Sequence, residues 1–163
     1  WKFVLTSSLK IGTIKMLKVN NRSYTYIPPY ERFIMGGNGI PYGTMLRGYP
    51  DNSIGPLTTQ GRGSGGNTMI KYTTEFRFPF SENPVVYAML FAEAGNVWQD
   101  TRLMSMLQYE RTNPLDLKRS AGVGIRFFMP MIGKLGFDVG YGFDDITGNG
   151  EPQGWEYTII FGN

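Results

Sequence analysis

The chain contains neither cysteine nor histidine in its 163 residues. Without cysteine it can form no disulfide framework and no thiolate site, and without histidine it lacks the commonest general base and metal ligand. Net charge is only +3, and the basic residues are scattered rather than arranged in a nucleic-acid-binding stripe. No nucleophile stands with a base, and no ligand spacing fits a metal. The sequence therefore predicts a protein that is not an enzyme, with no catalytic residue, metal, cofactor or nucleic-acid partner.

Long apolar runs are also missing. The longest, residues 85–92, is far shorter than the roughly 18 residues that a membrane-spanning helix requires. A transmembrane β-barrel fits better, because its strands need only about 9 to 11 residues with one apolar face. What the chain does have is 22 glycines and 15% aromatic residues, a composition typical of β-rich proteins with many turns.

Six segments alternate apolar and polar residues with the period of a β-strand. In residues 69–80, Tyr72 and Phe76 share one face, whereas Glu75 and Arg77 share the other. Similar alternation predicts further strands at residues 2–11, 85–98, 119–131, 135–144 and 155–161. No segment has a helical period. The predicted fold class is all-β and antiparallel, with about six strands.

Short and long connections alternate along these strands. Residues 81–84 and 132–134 form short turns, whereas residues 20–66 and 99–116 form long loops and residues 145–154 an intermediate one. Outer-membrane barrels have this arrangement, with short periplasmic turns and longer external loops. A soluble antiparallel sandwich or a lipocalin-like barrel fits the alternation equally well, with the apolar faces turned inward.

Two features favour the membrane barrel over the soluble fold. Glycines crowd the polar faces of the later strands, which suits a wet or plugged lumen and would make a poor dry core. Large aromatic residues lie near the ends of the apolar faces, where the interfacial girdles of membrane proteins lie. These aromatics are Trp98, Phe127, Tyr141, Trp155 and Tyr157.

The tip of one glycine-rich loop carries Arg47, and two later strands each carry an isolated acid, Glu75 and Glu93. If both acids point into one enclosed space, they can hold the arginine through charge-assisted and bidentate hydrogen bonds. Parity places Glu75 on a polar face. For Glu93 parity decides less, because the apolar Phe91 shares its side.

Four motifs occur in order along the chain. The first, in residues 36–56, combines GGN, MLRGY and NSIGP, and the second, in residues 65–76, combines GGN and TEF. The third is FAEAGNVW in residues 91–98, and the fourth is RSAGVGIR in residues 119–126. They resemble the BamA family of outer-membrane protein assembly factors. The match covers about residues 28–163, and the first strand aligns more loosely.

This resemblance implies that residues 1–163 are the C-terminal part of one barrel domain. They would form the last six strands of a sixteen-stranded barrel, with the long loop folded inward into the lumen. Six strands cannot close a barrel of this kind, so we expect the first ten strands and the POTRA domains to lie outside this chain, which begins at Trp1. In the family the loop arginine meets acids on the inner wall. The resemblance therefore predicts a loop latch made of Arg47, Gly48, Tyr49, Glu75, Glu93 and Gly95.

The resemblance also implies a function: ATP-independent insertion of unfolded β-barrel proteins into the bacterial outer membrane. The partners would be the unfolded proteins, the lipid bilayer and accessory assembly lipoproteins. The first and last strands would separate at a seam, so that a substrate strand pairs with an exposed edge. Two alternatives stay open, a relative that translocates a polypeptide and a passive porin. The predicted seam strand carries Trp155, Tyr157, Ile159 and Phe161.

Overall fold

The computed structural model describes residues 2–15, 27–40, 42–56, 64–83, 85–99, 116–129 and 133–161. Six strands form one antiparallel sheet in chain order, which confirms the predicted fold class. They are β1 (Val4–Thr13), β2 (Thr68–Glu82), β3 (Val85–Trp98), β4 (Lys118–Met129), β5 (Gly133–Gly142) and β6 (Gly154–Phe161). A short 3₁₀ helix, Pro29–Glu31, precedes β2. Within these ranges, no helix has the length and apolar character needed to cross a membrane.

The reversal between β2 and β3 is tighter than the predicted turn at residues 81–84. Ser81 and Glu82 belong to β2 and pair with β3, where the register shifts by one residue after Pro79. Proline has no N–H to donate to the ladder, and a bulge beside it absorbs one extra residue. The strand can then continue to the reversal at Asn83.

β5 lies two residues earlier than the predicted strand at residues 135–144. Gly133 and Lys134 pair with β4 instead of forming the end of the predicted turn at residues 132–134. At the other end, the Asp144 carboxylate accepts a hydrogen bond from the backbone N–H of Arg119 at 2.6 Å. The Asp144 carboxylate thus occupies the Arg119 N–H, which a longer β5 would use for a hydrogen bond of the sheet. Most of the predicted loop at residues 99–116 lies outside the described residues.

The connections divide the sheet into two ends. The long-loop end is where β1, β3 and β5 finish, and the short-turn end is where β2 and β4 finish. Within the described residues β1 and β6 each pair with one neighbour, so both are edge strands and the sheet is open.

The two faces of the sheet differ in what covers them. Residues 27–40 and 42–56 of the loop pack on one side, here named the loop-covered face, and bury charged side chains such as Glu93, Arg126 and Asp138. The other side, the exposed apolar face, leaves Leu90, Val123 and many aromatic rings accessible. A soluble sandwich would bury its apolar residues and expose its charges. The observed distribution is the reverse and favours the membrane-barrel interpretation.

Aromatic rings cluster toward both ends of the exposed apolar face. At the long-loop end, the Tyr141 ring lies 5.2 Å from Trp155 and 5.3 Å from Phe143. Toward the short-turn end, the Phe76 and Phe78 rings are 4.7 Å apart, centroid to centroid. Aromatic residues concentrate at two such levels where strands cross the interfaces of a bilayer.

Candidate functional site

The loop before β2 has a small apolar core of its own at the long-loop end. Its buried residues pack against two sheet residues whose side chains point to the loop-covered face. The cluster consists of Met35, Leu46, Tyr49, Ile54, Met69 and Val97. Isolated β-bridges tie Met35 to Thr44 and Gly37 to Leu46, which fixes the position of the following residue, Arg47.

Arg47 lies in the middle of the loop-covered face and is only 2% exposed. Its Nη2 atom is 2.8 Å from Oε1 of Glu75 and 2.8 Å from Oε1 of Glu93. The backbone N–H of Arg47 also donates to Oε2 of Glu93 at 2.8 Å. Glu93 therefore binds both the side chain and the backbone of the loop arginine. The structure brings the three predicted charges together, and their effect on loop retention stays a prediction.

The apolar residues beside Glu93 have a clear place in this geometry. The Arg47 Cζ atom lies 3.8 Å from the centroid of the Phe91 ring, and Nη1 lies 3.9 Å from the Met89 sulfur. A guanidinium above an aromatic face is attracted by the ring quadrupole. Glu93, Phe91 and Met89 thus share the loop-covered face, where the ring forms a platform for the guanidinium.

Four further charged residues join the site, and sequence reasoning missed their role. Asp138 Oδ2 is 3.5 Å from Arg47 Nη1 and 2.7 Å from Arg126 Nη2. Lys71 Nζ is 2.9 Å from Glu93, and Arg77 Nη2 is 2.8 Å from Glu75. All four lie on polar faces in the sequence, but their pairing depends on the register between strands.

Each of the three acids therefore contacts two cations. Glu75 binds Arg47 and Arg77, Glu93 binds Arg47 and Lys71, and Asp138 binds Arg47 and Arg126. Buried charges are tolerated only when they are paired in this way. Within the described part of the chain, no group of three acidic, histidine or cysteine side chains could hold a metal ion.

Glycines bring the loop backbone into direct contact with the sheet. Gly48 has a φ of +83°, and a Cβ added there would lie 2.9 Å from the Ser120 Cβ. A Cβ at Gly140 would lie 2.8 Å from the Gly48 nitrogen, and one at Gly142 would overlap the Gly48 carbonyl oxygen. Side chains at these positions would keep the loop away from the charged residues. The glycines of β5 thus form a flat surface for Gly48.

The two remaining predicted latch residues make contacts of different kinds. Gly95 leaves space for the apolar core, since a Cβ there would lie 2.9 Å from the Met35 sulfur. Tyr49 is a polar anchor at the long-loop end, where its hydroxyl donates to the carbonyl of Arg119 at 2.6 Å. The same hydroxyl lies 3.2 Å from Oδ2 of Asp144.

Two pKa shifts accompany the Tyr49 anchor. Burial raises the pKa of Tyr49, so the phenol stays protonated and can donate. Burial alone would raise the pKa of Asp144 as well, but hydrogen bonds from the side chain and backbone of Arg119, together with its charge, lower it. Asp144 therefore stays ionised beside Tyr49 at neutral pH.

We expect acid to weaken this anchor. Because the pKa of Asp144 is lowered in the folded state, its stabilisation is complete above the ordinary value of about 3.9 and is lost as pH falls through the lowered value. Tyr49→Phe should cost about 1 kcal/mol at neutral pH and should reduce the loosening of the loop in acid. The measurement is the rate of protease cleavage in residues 27–56 against pH. Tyr42→Phe, at a residue 84% exposed, is the matched control and should change neither quantity.

The predicted seam residues lie on the exposed apolar face of β6. Trp155, Tyr157, Ile159 and Phe161 are between 52% and 69% exposed, and Thr158 is buried on the other face. These four side chains therefore point outward, away from the charged site. The unpaired backbone edge of β6 is the part of this strand at which another strand could add.

The comparisons with known proteins agree with the fold. Residues 2–159 match the Omp85 superfamily domain. Among solved structures, the chain is similar to BamA from Haemophilus ducreyi lacking POTRA domains 1–3, with a TM-score of 0.70 and 21% sequence identity. This likeness concerns the fold and covers 98% of this chain and 31% of that chain. The comparison with curated proteins finds no match. Because the family match extends over almost the whole sequence, the chain belongs to the Omp85 superfamily.

Proposed function

We propose that this chain is part of a bacterial outer-membrane barrel that assembles and inserts other β-barrel proteins without ATP or a cofactor. The observation that carries the proposal is the Arg47 loop, bound by buried acids to the polar face of a sheet whose apolar face is exposed. Membership of the Omp85 superfamily supports it. The process is a binding and pairing reaction and assigns no catalytic residue.

In this proposal the six strands are the last of a sixteen-stranded barrel, and the POTRA domains belong to the longer protein. The exposed apolar face contacts lipid, while the loop-covered face lines the lumen. Open edges such as those of β1 and β6 would leave backbone groups unsatisfied in a bilayer, so these strands pair with others in the closed barrel.

The loop latch holds residues 27–56 inside the lumen. Arg47 supplies the charge, Gly48 permits close approach, and Tyr49 adds the anchor at the long-loop end. The latch keeps the loop in one position while the neighbouring strands open and close.

The edge of β6, exposed when the seam of the barrel opens, is the proposed site for a substrate strand. Strand addition uses main-chain hydrogen bonds, so it accepts many sequences. Unfolded outer-membrane proteins are the proposed substrates, with accessory lipoproteins as partners of the intact protein.

One feature separates this proposal from a passive porin. A porin needs an open lumen, whereas here the loop covers the polar face and buries its charges. A relative that exports a polypeptide would share both loop and sheet. The number of POTRA repeats before Trp1 would separate export from insertion.

The decisive experiment uses the full-length protein in liposomes with a urea-unfolded barrel protein and no nucleotide. We expect the substrate to become folded and protease-resistant faster than in liposomes without the protein. A matched set of liposomes measures ion conductance. Conductance without any acceleration of folding would contradict the insertase and favour the porin.

A further inference from the structure

A basic cavity lies on the loop-covered face between Arg47 and the short-turn end. Its volume is about 340 Å³, at the lower end of cavities that bind small organic groups. Four cationic side chains line it together with a single carboxylate, that of Glu75. The cations are Arg47, Arg77, Arg126 and Lys134. The cavity therefore favours an anion.

The neighbouring acids do not neutralise these cations. Glu75 is shared by Arg47 and Arg77, and Asp138 is shared by Arg47 and Arg126. The third partner of Arg47, Glu93, is shared with Lys71, so five cations face three carboxylates. Within the described residues, Lys134 has no ion pair and no hydrogen-bond partner, although it is half-buried. A partly desolvated ammonium without a counter-charge is stabilised by an incoming carboxylate.

The surroundings indicate where such a carboxylate comes from. The cavity lies on the loop-covered face, and the sheet separates it from the exposed apolar face that would contact lipid. Met89 and Ile160 add apolar walls beside the cations, together with the ring of Tyr87. This combination suits a carboxylate next to an apolar or aromatic group in a peptide better than a lipid headgroup.

We propose that Arg77, Arg126 and Lys134 bind a carboxylate of an unfolded polypeptide on the loop-covered side, next to β6. The carboxylate is either an acidic side chain or the end of the chain. The inference rests on the proposed function, which supplies unfolded polypeptides. Ile160, which lines the cavity, belongs to the edge strand β6, and Lys134 belongs to its neighbour β5. A strand added to β6 would therefore lie two strand spacings, about 10 Å, from β5.

The test uses the full-length protein in detergent and a fluorescent ten-residue peptide of alternating aromatic and polar residues with one glutamate. Lys134→Gln removes the charge without breaking an ion pair or hydrogen bond among the described residues, and we expect it to raise the peptide Kd about three- to tenfold. Lys134→Arg should restore binding. The matched control is Lys15→Gln, at an exposed lysine beyond the long-loop end of β1, and it should leave the Kd unchanged.

Peptide variants identify the source of the carboxylate. If amidation of the C-terminus abolishes the effect of Lys134→Gln, the site binds the chain end. If replacement of the peptide's glutamate by glutamine abolishes the effect of Lys134→Gln, the site binds an acidic side chain. Equal affinity of the wild type and Lys134→Gln for the peptide that has both carboxylates would overturn the proposal. So would displacement of the peptide by phosphatidylglycerol vesicles but not by unlabelled peptide.

The insertion assay separates this inference from the proposed function. If the wild-type protein accelerates folding of the barrel substrate but Lys134→Gln binds the peptide normally, only the carboxylate site is wrong. If the wild-type protein does not accelerate folding, the proposed function fails whatever the peptide result.

Discussion

Replacement of Arg47 by alanine should free the loop from the sheet and expose residues 27–56 to external protease. The change leaves Glu93, which is 3% exposed, without the side-chain partner that holds it to the loop. Glu75, Glu93 and Asp138 keep Arg77, Lys71 and Arg126, so each acid loses one of its two cations and none is left wholly unpaired. Removal of one partner from a buried ion pair costs about 3 to 5 kcal/mol. We expect a loss of this order in loop retention.

The measurement is the rate of proteolysis in intact outer membranes or proteoliposomes, with the protease outside. Arg119→Ala is the matched control, because Arg119 forms an ion pair with Asp144 but its side chain is 66% exposed. Exposed pairs of this kind contribute about 0 to 1 kcal/mol. Equal protease rates for Arg47→Ala and Arg119→Ala would show that the buried charges do not retain the loop.

Replacement of Gly48 by alanine should have an effect of similar size for a steric reason. The left-handed backbone at Gly48 costs an L-residue about 1 to 2 kcal/mol, and an extra methyl group in a tight contact costs about 1 to 3 kcal/mol more. The methyl group would meet the Ser120 Cβ and the backbone of β5. We expect the loop tip to lift from the sheet, which would lengthen the contacts of Arg47 with both glutamates.

Gly148 offers a control with the same backbone but no neighbours. Its φ is +79°, close to the +83° of Gly48, and a Cβ there would meet nothing within 4 Å. Gly148→Ala therefore carries the backbone cost alone, about 1 to 2 kcal/mol. Thermal unfolding of the two variants isolates the contact with the sheet. Equal melting temperatures would contradict the close approach of the loop to β5.

Most of the fold follows from alternation in the sequence. Side chains of successive strand residues point to opposite faces, so charged and apolar residues separate by parity without knowledge of tertiary structure. In β2, Glu75 and Arg77 lie on the loop-covered face and Phe76 on the exposed face, as parity predicts. The ends of strands depend on single contacts instead, such as the Asp144 side chain that ends β5.

The candidate site was only partly predictable, because it depends on register. Arg126 on β4 contacts Asp138 on the neighbouring strand β5. The contact is diagonal, because Arg126 pairs with Gly136 and Asp138 pairs with Gly124. A shift of one residue would turn either side chain to the other face. Parity alone identified all of these residues as polar-face positions, but not which charges meet.

Phe91 illustrates the same limit from the apolar side. Its apolar ring lies on a polar face, against the alternation of the strand. The structure gives the reason, because the Arg47 guanidinium lies 3.8 Å from the centroid of the ring. Gly122, its partner on β4, leaves space for the ring, since a Cβ there would lie 2.6 Å from Phe91 Cζ. In this chain the aromatic residue opposite a glycine on the polar face is the platform for the Arg47 guanidinium.

The central claim is that the buried charges hold the loop tip against the sheet, and thiol labelling tests it most directly. The chain has no cysteine, so Leu46→Cys places a single thiol at a residue that is 0% exposed beside Arg47. In the full-length protein, with any other cysteines replaced, this thiol should react much more slowly with a water-soluble maleimide than the thiol of Tyr42→Cys. Adding Arg47→Ala should remove that protection. Leu46→Cys that stays equally protected after Arg47→Ala is added, or that reacts as fast as Tyr42→Cys with Arg47 intact, would contradict the account.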